Sequence, residues 1–576
     1  MNFGRLLIPT EVAGKPTDNM PTFLLPGPVA VKRGLAAFLV ALLMSGCTAA
    51  PTESDGSRQS GPGAPSADRD GGSAGASCGE IHQLVRRVRR GYTGRGSPDV
   101  SLIPRAPNYI GTPAMPAHSG PWDYLAEVPL VLYGPGHIRA RGAVDQRATM
   151  ADLAPTQARL IGFDPWPRRD GRVLEDALTM RPPAPPRAVV TIVWDGGGDN
   201  ALEEHPRSWP YLRMMMERGT SFERMTIGSS PSVTPPVHTT LGTGAWPASH
   251  GIPALKVRTR DNRYVDPFEG LDPGRIRVGT LADLYDEALG NRPVTGAFGA
   301  IDWHLGMIGQ GSNWPGGDRD PVVLLNYLAD TLSNEAIYTL PAIEDPTALS
   351  RYTDALDARD GELDLKWRGH DLVDETVRYA SPAHVAYQQH LIERFITATD
   401  LGEDPVPDLL YINFKMSDDA GHSWGMTSPE TADALRAQDR ALGRLVRSLN
   451  RTVGRKRWVL MLTADHGQMP YPHESGGWAI AGSELQADAN AALDHTDNGI
   501  DLVEFVKSAG MYVRRDDLRP NDLVLKDLAR WAYGYRAQDN LREGAGIPAS
   551  YAGDPGDRLF DAALAGRRLG APRCRP

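Results

Sequence analysis

Three stretches of the chain are nearly unbroken runs of apolar, largely β-branched residues that stop on a carboxylate. Arg187-Ala-Val-Val-Thr-Ile-Val-Trp194 runs into Asp195-Gly196-Gly197-Gly198, Asp408-Leu-Leu-Tyr-Ile-Asn-Phe414 leads to Asp418, and Trp458-Val-Leu-Met-Leu-Thr463 leads to Asp465 and His466. Such runs predict parallel strands buried on both faces, each delivering its carboxylate at the carboxyl end, where α/β sheets place their chemistry. Between the second and third runs, Ser428-Pro429-Glu430 supplies an N-cap, a first-turn proline and an acidic first turn. Leu435, Leu442, Leu445, Val446, Leu449 and Val453 then recur at helical spacing. Strand, loop, helix and strand from Leu409 to Thr463 make a βαβ unit, so the expected class is α/β with a mostly parallel central sheet flanked by helices.

The amino terminus carries a different pattern. Lys32 and Arg33 precede an apolar run from Leu35 to Met44, too short for a stop-transfer helix and suited to a signal-peptide core. Met44-Ser45-Gly46-Cys47 follows and resembles the bacterial lipoprotein cleavage box, with Cys47 as the acylated residue. Residues 1–19 read as an upstream extension. Residues 48–77 are Ser, Gly, Pro, Ala and Asp with almost no large apolar side chain, the composition of a disordered tether. The expectation is a folded body anchored by lipid to the outer face of the cell membrane.

Composition narrows the function classes. The 576 residues, at 41% hydrophobic and 23% charged, describe a globular chain, and a net charge of -10 argues against a broad nucleic-acid-binding face. The three cysteines, Cys47, Cys78 and Cys574, cannot build a disulfide scaffold.

Asp195, Asp418 with His422, and Asp465 with His466 combine carboxylate oxygen and imidazole nitrogen, a donor set suited to zinc or a similar divalent ion, in numbers enough for two ions. Between the first and second strands lies Pro231-Ser-Val-Thr234-Pro235-Pro236-Val-His238, with Thr243-Gly244 and His250-Gly251-Ile252 beyond it. Two prolines fit the first turn of a helix, which predicts Thr234 at its N-cap. A hydroxyl there faces free N–H groups and the positive end of the helix dipole, a favourable place for a phosphoryl group.

Taken together, Asp195, the Thr234 segment, Asp418-x-x-Gly-His422 and Asp465-His466-Gly467 resemble the alkaline phosphatase superfamily, nearest its type I phosphodiesterase/nucleotide pyrophosphatase branch. The resemblance implies a three-layer sandwich and a hydrolase of small phosphate esters that forms a phospho-threonine at Thr234. It also implies two divalent ions, with Asp195, Thr234, Asp465 and His466 around one and Asp418 and His422 on the other. That family supplies one further histidine late in the chain, and here only His473 and His495 follow His466. The segment Ala117-His118-Ser119-Gly120, with Leu130-Val-Leu-Tyr133-Gly-Pro-Gly136 after it, resembles the family's carboxyl-terminal stretch displaced to the front.

A circular permutation is therefore expected, with His118 as the missing ligand and His473 as the alternative. On that reading, residues 78–180 are the permuted carboxyl-terminal part and 181–576 the main catalytic domain with a cap insertion at about 253–405. Segments around Val503 and Leu525 are expected as helices of an accessory part. The permutation also implies that Cys78 and Cys574 are neighbours able to form a disulfide. Pro253-Ala-Leu-Lys256 stands where diesterase relatives carry a phosphate-contacting asparagine, leaving monoester against diester open. A non-catalytic surface binding protein that keeps the fold is the other class to be tested.

Overall fold

The computed structural model describes residues 77–180, 184–326, 329–541 and 546–566. The expected signal sequence with Cys47, the expected tether except Ser77, and Cys574 lie outside them. Among the described residues, no helix is long and apolar enough to cross a membrane. Ser77 caps the first helix, Cys78–Gly91, through a reciprocal box with Glu80.

Thirteen strands form the two larger sheets: β1 (Val100–Pro104), β2 (Leu130–Tyr133), β3 (Gly142–Thr149), β4 (Ala188–Trp194), β5 (Thr220–Thr226), β6 (Thr295–Gly299), β7 (Val322–Leu325), β8 (Thr331–Leu332), β9 (Asp408–Phe414), β10 (Trp458–Thr463), β11 (Val503–Lys507), β12 (Gly510–Val513) and β13 (Phe560–Ala565). The central sheet has nine strands in the order β8-β7-β6-β9-β4-β10-β2-β5-β3. β7, β6, β9, β4 and β10 are mutually parallel, and β2 runs against both β10 and β5.

Period-two alternation explains the layers. On one face Val189, Val193, Leu409, Tyr411, Val459 and Met461 pack under helices Leu153–Ile161, Thr234–Thr243 and Leu281–Leu289. On the other, Val190, Ile192, Leu410, Ile412, Leu460 and Leu462 meet helices Pro210–Arg218, Pro382–Ala398 and Pro429–Leu449. Every residue of β4, β9 and β10 is buried, as both-face coverage requires. The Pro429–Leu449 helix starts as expected, with the Ser428 hydroxyl accepting from Thr431 N–H at 3.1 Å.

Three expectations are corrected. The stretch 253–405 is not simply a cap, because β6, β7 and β8 extend the central sheet. The segment at Val503 is strand β11, not a helix: it pairs with β12 across a two-residue turn in which Ser508 and Ala509 both have positive φ. The Leu525 segment is helical, Leu525–Gly534. Thr234 is the first helical residue of Thr234–Thr243, and the extended Val233 takes the N-cap position. The shift follows from Ser232, whose hydroxyl is spent on the carbonyls of His118 and Gly120 and so fixes the chain in an extended entry.

Residues from both ends of the described chain build the second sheet, β11-β12-β1-β13. Its junction to the rest is Asp99, a fully buried carboxylate that takes a bidentate pair from Arg258, a bond from Arg515 and the Val513 N–H at 2.8 Å. Arg258 is itself buried against Tyr264. Asp99→Ala is expected to cost about 3–5 kcal/mol, because it strands a buried guanidinium. Equilibrium denaturant unfolding checks this, and an unchanged midpoint would contradict it.

Candidate metal centre

Parallel strands share a carboxyl edge, so the residues after β4, β9, β10, β5 and β6 arrive at one place. These are Asp195, the Lys415–His422 segment, Asp465 with His466, the Thr234 helix and the His304 turn. β2 runs the other way, so its amino end lies at the same edge, and the chain just before it carries His118.

Two close approaches hold the turns together. A Cβ on Gly198 would fall 2.5 Å from Gly467 Cα, so the Asp195 turn lies directly on the His466 turn. A Cβ on Gly242 would fall 2.5 Å from the carbonyl oxygens of Gly306 and Met307, so the Thr234 helix lies directly on the segment that carries His304.

One donor set is His118, Asp418 and His422, with ligand atoms all within 4.8 Å of one another. Asp418 Oδ1 is 3.7 Å from His118 Nε2 and 3.5 Å from His422 Nε2. His118 Nδ1 donates to the Ser232 carbonyl at 2.8 Å, which leaves Nε2 as the lone-pair nitrogen facing Asp418. His473, the alternative, is exposed on a short surface helix and stacks with Tyr471.

The second set surrounds Asp195 and Asp465. His466 Nε2 is 3.5 Å from Asp195 Oδ1 and 3.4 Å from Asp465 Oδ2, and its Nδ1 donates to the Gly467 carbonyl at 3.0 Å. His238, one turn beyond Thr234, brings Nε2 to 3.5 Å from Asp465 Oδ2 and forms a further group with Asp195 and Asp465. Asp465 Oδ2, His466 Nε2 and both His238 nitrogens are buried with no hydrogen-bond partner. Buried orphans of this kind are costly, and a cation among them would satisfy Asp465 Oδ2, His466 Nε2 and the His238 Nε2 that faces Asp465. The donors therefore fit a pair of divalent ions.

A model of the type I phosphodiesterase/nucleotide pyrophosphatase family matches residues 189–554, more than half of the chain. The chain belongs to that family. Among curated relatives, the alkaline phosphatase PafA of Elizabethkingia meningoseptica is 33% identical over 142 residues, 23% of this chain and 25% of PafA. The alkaline phosphatase PhoV of Synechococcus elongatus is 34% identical over 77 residues, 13% of this chain and 14% of PhoV. The matches thus span a quarter or less of these relatives' length. The crystal structure of PafA aligns with 66% of this chain and 85% of its own at 16% identity and a TM-score of 0.47. That of inactive murine ectonucleotide pyrophosphatase/phosphodiesterase 5 in complex with AMP aligns with 66% and 78% at 17% identity and a TM-score of 0.32.

In this type I phosphodiesterase/nucleotide pyrophosphatase centre, charge is sorted by its surroundings. Burial opposes ionisation of Asp195, yet Lys415, His304 and His466 hold it well below the usual carboxylate range. Asp418 is likewise depressed against its burial, chiefly by Lys415 and then by His422. Burial, with His466 beside it, keeps His118 well below the ordinary histidine range, and burial lowers His422 as well. Both are thus neutral imidazoles, the form that ligates metal. Burial raises Asp465, with Asp195 adding to the shift, while the carboxylates around His466 overcome its burial and push it up to about 9.

Three further buried residues, outside the expected ligand set, complete the centre. Lys415 donates to Asp195 Oδ1 at 2.9 Å and to Asp418 Oδ2. His304 accepts the Ala300 N–H on Nδ1 at 2.8 Å, which puts its proton on Nε2, turned toward Asp195 Oδ2 at 3.4 Å. Asn413 donates to the same oxygen at 3.1 Å. His238 and Lys415 were legible as residues beside motifs, but only the fold turns their side chains into the centre.

Proposed function

We propose that this chain is an exported hydrolase of small phosphoric esters, anchored through Cys47, that works through a phospho-threonine at Thr234 beside two divalent ions, zinc by the chemistry of the donors. The observation that carries this is the pair of donor sets, His118-Asp418-His422 and Asp195-His238-Asp465 with His466 facing both of its carboxylates, on one sheet edge beside the Thr234 helix. Family membership and the PafA and PhoV relatives support the reaction class.

Held by those sets, the ions would supply Lewis acidity to the phosphoryl oxygens and lower the pKa of the attacking hydroxyl. Thr234 is 2% exposed at the start of its helix, with Ser232 tied to the His118 turn on one side and His238 facing Asp465 on the other. Its Oγ1 attacks phosphorus, the alcohol leaves from the opposite side, and water then takes the phosphoryl group and restores the hydroxyl. The unpaired first-turn N–H group of Thr234 and the helix dipole favour the anionic phosphoryl group.

The circular permutation belongs to the same reading. Helix Cys78–Gly91 packs Ile81, Leu84, Val85 and Val88 against Ala562 and Leu564 of β13, and Gly566 N–H donates to Asp99 O at 2.9 Å. Early and late segments are therefore side by side, which supports a seam between them and a Cys78–Cys574 disulfide across it. Two titratable thiols in the denatured, unreduced protein would contradict that bridge.

The test is hydrolysis of paired chromogenic mono- and diesters. Zinc-loaded protein is expected to turn over at least one, chelation to reduce the rate to background, and added zinc to restore it. A metal-binding protein inert toward both would favour the non-catalytic binding role.

A further inference from the structure

The centre contains a cation of its own. The side chain of Lys415 is 8% exposed, and its ammonium lies between two carboxylates, Asp195 and Asp418, that also come together with His466 as one candidate ligand group. Asp195 Oδ1, which receives Lys415 at 2.9 Å, also faces His466; Asp418 Oδ2 receives Lys415 while Oδ1 faces His118 and His422. The backbone repeats the grip, because the Lys415 carbonyl accepts the N–H groups of Asp418 at 3.1 Å and Asp419 at 3.2 Å in the first turn of helix Met416–Trp424. With Lys415 removed, Asp195, Asp418 and Asp465 would face one another with only the imidazoles around them in a buried site, where like charges repel strongly.

We propose that Lys415 is a positioning residue that stands in for metal: it holds Asp195 and Asp418 in their ligating arrangement before ions enter, and its charge weakens the affinity of the loaded centre. The inference rests on the two-ion reading above. The two effects share one origin. Removing Lys415 breaks a buried pair in the metal-free protein, where no other ammonium among the described residues reaches both Asp195 and Asp418, but in the loaded protein the divalent ions take over as counter-charges and are freed of a like charge. By linkage, whatever the metal-free state loses relative to the loaded state reappears as tighter metal binding.

The experiment compares wild type, Lys415→Met and Lys415→Arg, each metal-free and with saturating Zn²⁺, by thermal unfolding and by Zn²⁺ competition against a chromogenic chelator. Lys415→Met is expected to lower the metal-free Tm by about 5 °C, to leave the zinc-loaded Tm near wild type, and to bind Zn²⁺ about tenfold or more tightly. Lys415→Arg keeps the charge and is expected to keep the metal-free Tm within about 2 °C of wild type. Recovery of the Met variant only when zinc is present is the same result in stronger form.

Equal metal-free Tm and equal zinc affinity for Lys415→Met and wild type would overturn the proposal. So would loss of folding in both variants regardless of zinc, which would make Lys415 a packing residue. A wild type that binds no divalent ion would instead sink the two-ion reading, and the metal-free comparison of Met with Arg would still report on Lys415 as a counter-ion.

Discussion

Thr234→Ala is expected to lower phosphate-ester turnover by about 10³-fold or more while bound metal stays near two ions per chain. The separation follows from the geometry. On this account metal is held mainly by His118, Asp418 and His422 and by Asp195, Asp465, His238 and His466, none of which needs the Thr234 side chain for its place. The helix also survives the change, because Val233 rather than Thr234 occupies its N-cap and the entry is fixed by Ser232. What alanine would remove is the oxygen assigned the attack on phosphorus. Initial rates on mono- and diesters, with zinc content measured on the same samples, check both halves. Retained rates would exclude Thr234 as the nucleophile, and loss of zinc would show it to be chiefly a ligand.

His118→Ala is expected to reduce bound metal from two ions to one per chain and to bring turnover close to background. Asp418 and His422 alone leave two protein donors for an ion that ordinarily takes at least three. The loss should be local. His118 enters the centre from a loop before β2, stacks on His466 at 3.6 Å between ring centroids, and is held by Ser232. Asp195, His238, Asp465 and His466 approach from other elements and are expected to keep the other ion. His473→Ala, on an exposed turn, is expected to change neither metal content nor rate. Two ions in the His118 variant would remove this residue from the site and with it the support that the displaced segment lends to permutation.

The residues that carry these predictions differ in how they could be read. Asp195, Asp418 and Asp465 were legible because strands buried on both faces must be written as long apolar runs, and a carboxylate after such a run is conspicuous. His118 was legible only through order: its neighbours resemble a family segment usually found at the other end of the chain. β6 and β7 escaped because Thr295-Gly-Ala-Phe-Gly299 and Val322-Val-Leu-Leu325 are short and, in the first case, rich in small residues, so neither stands out as a core strand. β11 escaped because its hairpin turns at Ser508 and Ala509, which adopt positive φ without the Gly, Asn or Asp that marks such a two-residue turn. Lys415 sat in plain view after β9, yet charge beside a motif ordinarily means a solvated side chain. Only the parallel register of β9 with β4 sets its ammonium against Asp195.

The most direct test is to mix zinc-loaded protein with a phosphate ester, quench in acid during turnover, and map phosphorylated peptides by mass spectrometry. The account predicts a phosphoryl group on Thr234, absent from the zinc-free protein and from Thr234→Ala. Rapid hydrolysis with Thr234 never modified would contradict it.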